Sequence, residues 1–336
     1  MSAIYIKEQG AFIQKSGERI VVSKNNARLF EVPVFQVDNL CLIGNVQISA
    51  QALHTLMEKG VDVSHLSYSG KYLGHTAADA SRNIFLRFEQ YQMYLDEERR
   101  LSMARRITEN KIQNQMEVIR RHRWTESEYD WKNDVRQMER NMEKLSKTET
   151  PNEILGVEGI CSNIYFRSFG QMLQCDFTFN GRNRRPPRDP VNVIISLAYT
   201  LLTKELCNAL DAESFEPYLG FLHGIRYGRK SLALDIIEEF RQPVVDRLVI
   251  ILFNKRMIGK YDFEFPEEDR VVLTEDGFRK FCTEYERWMN GRNSLSGNPS
   301  FRNLIRNQVK ELKKAITEHR EYVPFRWREN HVSDQL

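Results

Sequence analysis

Three short segments place acidic, basic and histidine residues in settings that suit phosphate chemistry. Glu158 is flanked by two glycines in the segment LGVEGI. His223 lies between apolar residues and glycines in GFLHGIRYGRK, where cationic residues follow it. Asp235 and Glu238 are three residues apart in SLALDIIEEFR, so they project from one face of the helix that this segment predicts. Together the segments offer two or three carboxylates and one imidazole.

Oxygen-rich ligands with a single nitrogen suit Mg²⁺ or Mn²⁺ better than zinc. Such an ion would polarise a phosphodiester oxygen and stabilise the leaving alkoxide during in-line displacement. Arg226 and Arg241 are positioned in the sequence to hold the flanking phosphates. The residues alone do not show that the three segments meet in space.

Each segment also has a simpler interpretation. Glu158 could complement a helix dipole, since carboxylates near helix starts often do so. A single histidine in an apolar setting, such as His223, is more often structural than a ligand. The face opposite Asp235 and Glu238 is apolar, so an amphipathic helix with both carboxylates in solvent explains that segment equally well. These alternatives stay open at this point.

The first 76 residues predict β structure, because short runs rich in Ile, Val, Phe and Tyr alternate with Gly, Asn, Lys and Pro. One helix interrupts them, with Ser49 as its N-cap and Gly60 as its end. The predicted strands cover residues 3–7, 11–14, 19–23, 29–32, 40–43, 61–66 and 71–75.

After a predicted linker at residues 77–82, long stretches without Pro or Gly predict helices. Asp189-Pro190 and Ser231 are helix-start signals, and Pro243 predicts a kink. The predicted helices extend to about residue 146 and then cover 151–174, 190–210, 231–256, 274–289 and 300–319. The expected fold class is therefore α+β, with a small N-terminal β-sheet or sandwich domain at 1–76, a larger all-helical domain at 83–330 and a tail at 331–336.

Composition narrows the protein class. No run of eighteen apolar residues occurs, and the N-terminal MSAIYIKEQG lacks a signal-peptide pattern. We therefore expect a cytoplasmic protein with no membrane partner. The five cysteines are far apart and include no CxxC pair, which argues against a disulfide framework and against a structural zinc site.

The net charge of +3 does not by itself predict a nucleic-acid partner, but the charge is segregated. Basic residues outnumber acidic ones at 82–123 and 302–328, and such segregation can create a basic face. Solvated helix faces are the alternative. The candidate DNA contacts are the four arginines of RNRRPPR, together with the cations around the second and third segments: Arg182, Arg184, Arg185, Arg188, Arg226, Arg229, Lys230 and Arg241.

Four motifs, in this order, resemble those of the CRISPR-associated Cas1 family. They are Gly-x-Glu-Gly around Glu158, Asp-Pro-x-Asn leading into a helix with Tyr199, Gly-Phe-Leu-His ending at His223, and Ser-Leu-Ala-x-Asp-x-x-Glu-x-Phe-Arg at 231–241. Their spacing and the β-then-helical layout also fit, so the resemblance covers nearly the whole chain.

The resemblance implies an integrase of CRISPR adaptation that joins DNA by transesterification. The 3′-hydroxyl of a prespacer would attack a phosphodiester at the edge of a CRISPR repeat, and many members also cleave DNA with metal. The implied metal ligands are Glu158, His223 and Glu238, with Asp235 as an additional catalytic acid. The family often has Asp at the last ligand, and Glu239 is adjacent here. Because successive helical residues turn by about 100°, Glu238 is the better partner for Asp235.

The resemblance also implies partners. The β domain would form a homodimer, and two such dimers would flank a dimer of the small Cas2 protein in a heterohexamer that binds prespacer duplex and repeat DNA. Two other functions stay open: a stand-alone, structure-selective nuclease that uses water as nucleophile, and a non-catalytic DNA-binding scaffold.

Overall fold

The computed structural model describes residues 2–76, 78, 83–124, 128–183, 186–267, 270–291 and 300–327. The chain divides into two compact units, Met1–Arg82 and Asn83–Leu336. The first is built mainly of strands and the second mainly of helices. The predicted α+β class, with the β unit first, is confirmed.

The described part of the N-terminal unit forms two four-stranded sheets. Its strands are β1 (Ser2–Ile6), β2 (Phe12–Ser16), β3 (Arg19–Lys24), β4 (Ala27–Pro33), β5 (Val37–Ile43), β6 (Gln47–Ile48), β7 (Asp62–Leu66) and β8 (Tyr72–Thr76). One sheet has the order β1-β5-β7-β8, with only β8 antiparallel to its neighbour. The other has the order β4-β3-β2-β6. The sequence predicted all of these strands except the two-residue β6.

The α-helix among the described residues of this unit, α1 (Ala50–Glu58), packs with the strands around one apolar core. Oγ of Ser49 accepts a hydrogen bond from the amide of Ala52 at 3.2 Å, which is the predicted N-cap. The helix ends before Gly60, whose φ of +69° suits glycine. Ala52 and Leu56 bury the apolar face of α1 in that core. Both predicted ends of the helix are confirmed.

The C-terminal unit contains the helices α2 (Ile84–Leu95), α3 (Glu97–Arg121), α4 (Trp131–Met142), α5 (Pro151–Met172), α6 (Pro190–Ala212), α7 (Ser231–Ile236), α8 (Arg247–Asn254), α9 (Glu275–Asn290) and α10 (Phe301–Thr317). It departs from the predicted all-helical composition at one antiparallel strand pair, β9 (Phe263–Glu267) and β10 (Arg270–Leu273). The Phe residues of β9 and the Val residues of β10 favour extended structure.

Most residues of helix α6 are buried within the C-terminal unit. Oδ1 of Asp189 accepts a hydrogen bond from the amide of Asn192 at 2.8 Å, and Pro190 opens the first turn, as predicted. By length and composition, α6 is the one described helix that could cross a membrane. It packs instead against α7, α8 and α10. Buried core helices meet the same criteria of length and composition.

The predicted helix at 231–256 is interrupted. After α7, a 3₁₀ turn covers Ile237–Glu239, a π-helical segment covers Arg241–Asp246, and α8 follows. Pro243 has no amide hydrogen to donate to the carbonyl four residues earlier, so regular α-helix cannot run through it. The predicted kink is therefore confirmed, and the break places Glu238 in the 3₁₀ turn.

Candidate metal centre and nucleic-acid interface

Two of the predicted acidic residues meet at a lysine that the sequence analysis did not single out. Lys111 on α3 pairs with Oε1 of Glu158 on α5, and its Nζ lies 2.7 Å from Oε2 of Glu238. All three side chains are largely or fully buried. The structure thus brings the first and third motifs together around a single ammonium group.

Glu158 lies well inside α5, which begins at the Thr150 cap, so it does not complement the helix start. Oγ of Ser162 donates a hydrogen bond to its Oε1 at 2.8 Å. A Cβ atom added at Gly156 or Gly159 would meet no atom within 4 Å. The two glycines therefore leave the surface beside Glu158 open, which gives a phosphate room to approach.

His223 is held by Asp235, a fully buried carboxylate. Oδ1 of Asp235 accepts hydrogen bonds from the His223 amide at 2.9 Å and from its ring Nδ1 at 2.7 Å. Oδ2 accepts from the amides of Phe221 and Leu222. Asp235 therefore fixes the ring and leaves Nε2 as the nitrogen that can bind an ion, a common arrangement for metal-ligating histidines.

Gly220 allows this arrangement. A Cβ atom at this position would lie 2.7 Å from Oδ2 of Asp235 and equally close to the backbone carbon of Ser231. The segment before His223 can approach α7 this closely only without a side chain. Steric contact with Asp235 and Ser231 thus explains why the Gly-Phe-Leu-His motif begins with glycine.

Glu238 is ionised under all ordinary conditions. Burial works to raise the pKa of Glu238, but the positive charges of Arg241 and Lys111, with a contribution from His223, lower it to about 2. Arg241 Nη1 lies 3.2 Å from Oε1 of the carboxylate.

Two carboxylates and one imidazole are donors whose chemistry suits a hard divalent cation. Within the described part of the chain, Oε2 of Glu238 is buried and accepts no well-directed hydrogen bond, although the Lys111 ammonium is close. Among the described residues, no three His, Cys, Asp or Glu side chains are grouped as a ready metal site. Lys111 lies between the two carboxylates, so an ion bound there would have to displace its ammonium.

The alternative interpretation, an amphipathic helix with Asp235 and Glu238 in solvent, is wrong because both side chains are buried. Long-range partners from α3 and the loop before α7 cover this face. Ser231 is also not an N-cap. It is the first residue of α7, and its hydroxyl donates to the carbonyl of Gly224 at 3.1 Å.

Glu239 faces a different part of the unit from Glu238. Its carboxylate accepts hydrogen bonds from the Tyr322 hydroxyl and the Phe325 amide, both at 2.6 Å. Asn114 on α3 joins the same C-terminal residues, donating to the carbonyls of Glu239 and Phe325. Burial outweighs these hydrogen bonds and raises the pKa of Glu239 to about 8. Glu239 thus anchors the C-terminal segment 322–327.

Lys111, Asn114 and the C-terminal segment are the parts of the site that sequence reasoning missed. One signal was available for α3: uncharged Asn110, Asn114 and Gln115 lie with Lys111 within two turns, and all four are buried. Amides at core positions indicate a polar network, because unpaired buried amides are costly. Nothing comparable marked residues 322–327.

The predicted DNA-contacting cations fall into two groups. Arg241 is largely covered and lies against Glu238 and the ring of Tyr199, and Arg182 bonds within the chain to Asn192 and Ser196. By contrast, Arg226 and Arg188 are exposed. Arg229 and Lys230 are half-buried, and Lys230 lies 3.7 Å from Asp211. Arg184 and Arg185 lie outside the described residues.

Comparison with known proteins agrees with this fold. Residues 4–287 match the family described as CRISPR associated protein Cas1, so the chain belongs to the CRISPR-associated Cas1 family. A relative from Thermus thermophilus, named CRISPR-associated endonuclease Cas1 3, is 33% identical over 334 residues, which is 97% of each protein.

Solved structures share the fold. A Cas1 protein from Thermotoga maritima has a TM-score of 0.81 at 25% identity, covering 98% of this chain and all of that one. A casposase bound to integration product has a TM-score of 0.84 at 24% identity, covering 99% and 96% of the two chains. A chain of a Cas6-RT-Cas1–Cas2 complex has a TM-score of 0.81 at 23% identity, covering 98% of this chain and 36% of that one.

Proposed function

We propose that this protein is a CRISPR adaptation integrase with associated DNA endonuclease activity. It would insert prespacer DNA by metal-dependent transesterification, in which the prespacer 3′-hydroxyl attacks a phosphodiester at a repeat edge. One observation carries the proposal. Two separate segments bring the carboxylates of Glu158 and Glu238 to one cation position at Lys111, and Asp235, three residues before Glu238, holds the imidazole of His223.

Glu158, Glu238 and Nε2 of His223 would hold the Mg²⁺ or Mn²⁺ ion. When bound, the ion would polarise the phosphodiester and neutralise charge as the leaving alkoxide forms. Asp235 orients the imidazole and is a positioning residue, because its oxygens are used by backbone amides and Nδ1. Lys111, displaced from between the carboxylates, would supply a positive charge to the bound phosphate.

The proposed partners are prespacer duplex, repeat DNA and a small Cas2 protein, with the β unit forming a homodimer within a heterohexamer. The membership in the Cas1 family supports this assembly, and the fold shared with a chain of a Cas1–Cas2 complex agrees with it. Exposed Arg226 and Arg188 would contact phosphates, so we expect DNA binding to weaken with salt.

The second candidate is a stand-alone nuclease, in which water replaces the 3′-hydroxyl at the same site. The Thermus thermophilus relative is named an endonuclease, which supports this second candidate. A scaffold without catalysis has less support, because it gives no reason to bury Glu158, Glu238 and Lys111 together.

The two reactions differ in their products. Purified protein, with and without its Cas2 partner, is mixed with a labelled duplex bearing 3′-hydroxyl ends and a supercoiled plasmid carrying a repeat. The reactions contain Mn²⁺ or EDTA. His223→Ala is run beside His319→Ala, a matched control at an exposed histidine near Glu89.

Metal-dependent transfer of label into the plasmid, lost in His223→Ala but kept in His319→Ala, establishes the integrase. Plasmid nicking without label transfer establishes the nuclease. DNA binding with neither product under either metal condition contradicts both and leaves the scaffold.

A further inference from the structure

The loop that follows His223 presents a fully exposed aromatic side chain at the apex of a tight turn. The Arg229 amide donates to the carbonyl of Arg226 at 3.0 Å, and Gly228 has a φ of +71°. This is the pattern of a type II turn, in which the third residue takes the left-handed conformation. Tyr227 is the second residue of the turn, and its side chain is fully exposed.

The base of this loop is braced. The Arg229 guanidinium donates to the carbonyl of Gly224 and, through Nε, to Oγ of Ser231 at 3.2 Å. Oγ of Ser231 donates to the same carbonyl at 3.1 Å. Because the turn is already ordered, a ligand that contacts Tyr227 would not have to order it first, which lowers the entropic cost of binding.

Single exposed aromatic residues are common and need no explanation by themselves. Tyr261 is such a residue, almost fully exposed and next to Lys260 and Asp262. Tyr227 differs in that it lies between two arginines in a turn and four residues after His223. An aromatic face beside cations is the combination that binds nucleic acid by stacking on bases and contacting phosphates.

We propose that Tyr227 stacks on a nucleobase close to the reacting phosphodiester, while Arg226 contacts a neighbouring phosphate. Four residues span at most about 14 Å, so the stacked base lies within a few nucleotides of the phosphate held at His223. Because every base has a π-face, this contact would depend little on sequence. The inference rests on the proposed function for the identity of DNA as the ligand.

The test uses position-specific photocrosslinking. A repeat-end duplex carries 5-iodouracil at single positions on either side of the expected joining site, and binding is measured in EDTA by fluorescence anisotropy. The crosslinked peptide is identified by mass spectrometry. The variants are Tyr227→Ala, Tyr227→Phe and the matched control Tyr261→Ala.

Wild type and Tyr261→Ala should crosslink through position 227 and bind equally. Tyr227→Ala should lose the crosslink and bind about tenfold more weakly, whereas Tyr227→Phe should keep both because the ring remains. Wild-type binding and crosslinking by Tyr227→Ala would overturn the proposal. A Tyr227→Phe variant as weak as Tyr227→Ala would also overturn it, since the hydroxyl would then be the contact.

Binding and crosslinking are measured without strand transfer, because EDTA removes the divalent metal that the proposed reaction needs. If wild type crosslinks through Tyr227 but transfers no strand in Mn²⁺, the proposed function fails and the stacking contact stands. If strand transfer occurs but the crosslink and the affinity do not depend on Tyr227, only the stacking contact fails.

Discussion

The ammonium of Lys111 lies 2.7 Å from Oε2 of Glu238 and also pairs with Glu158, so a single positive charge separates two carboxylates from different elements. Both carboxylates are proposed metal ligands. A divalent cation bound there would therefore compete with Lys111 for the same oxygens. Removal of the lysine should therefore raise the affinity for metal while it lowers the rate of strand transfer.

Replacing Lys111 with Met should increase Mn²⁺ affinity and decrease strand transfer. Without the ammonium, Glu158 loses its ion pair and Glu238 keeps only Arg241, so the metal-free protein should lose about 3 kcal/mol of stability because buried ion pairs are broken. Mn²⁺ should then raise the melting temperature more in Lys111→Met than in wild type. Calorimetric titration measures the affinity directly. Weaker Mn²⁺ binding by the variant would show that Lys111 supports the metal site rather than competing with the ion.

Asp235→Asn tests the positioning of His223. Asp235 now accepts hydrogen bonds from backbone amides and from the ring Nδ1 of His223. The side-chain amide of Asn would place N–H donors against those backbone N–H groups and would weaken the hold on the ring. We expect strand transfer to fall about 10- to 100-fold, as for other partners of metal-ligating histidines. Asp211→Asn, at a partly exposed carboxylate 3.7 Å from Lys230, is the control for losing a charge. Equal activity of wild type and Asp235→Asn would argue against the assigned role.

Glu239 should make stability depend on pH. Burial raises its pKa to about 8, so the folded protein binds a proton that the unfolded chain releases near its ordinary pKa of 4.5. Stability is then greatest below pH 4.5 with respect to this group and is lost as the pH rises through 8. The pKa of Asp246 is raised to about 6, so its contribution to stability also decreases as the pH rises, but that decrease is complete above about pH 6.

The window between pH 7 and 8 therefore isolates Glu239. Urea unfolding should show wild-type stability decreasing across this window, and Glu239→Gln should be nearly flat there. A Glu239→Gln variant with the wild-type slope would assign the pH dependence to another group.

Arg226 and Arg182 should respond differently to substitution, although both were predicted as DNA contacts. Arg226 is exposed, so Arg226→Ala should weaken DNA binding and reduce the salt slope by about one, with unchanged stability. Arg182 bonds to Asn192 and Ser196, so Arg182→Ala should instead lower the melting temperature. Affinity measured across a salt series, with thermal unfolding of each variant, separates the two effects. A reversed pattern would contradict this division.

Local signals predicted the frame of the molecule well. Ser49, Gly60 and Asp189-Pro190 mark helix ends through contacts within a few residues, and the structure has all of them. Pro243 predicted the break before α8 for the same reason, since its effect on the backbone is local.

The interior of the site was harder to predict because its contacts are long-range. The pattern around Asp235 and Glu238 is that of an ordinary amphipathic helix, and only Lys111 on α3 and the loop before α7 reveal that both are buried. The choice between Glu238 and Glu239 likewise depends on distant residues. Lys111 and Arg241 contact the first, whereas Tyr322 and Phe325 contact the second.

The proposed metal centre requires that a divalent ion bind to the imidazole of His223. Mn²⁺ is added to wild type, His223→Ala and His319→Ala, and electron spin-echo envelope modulation detects nitrogen bound to the ion. We expect one Mn²⁺ with a nitrogen coupling that is present in wild type and His319→Ala and absent in His223→Ala. Mn²⁺ bound tightly to wild type without any nitrogen coupling, or with a coupling that survives in His223→Ala, would contradict it.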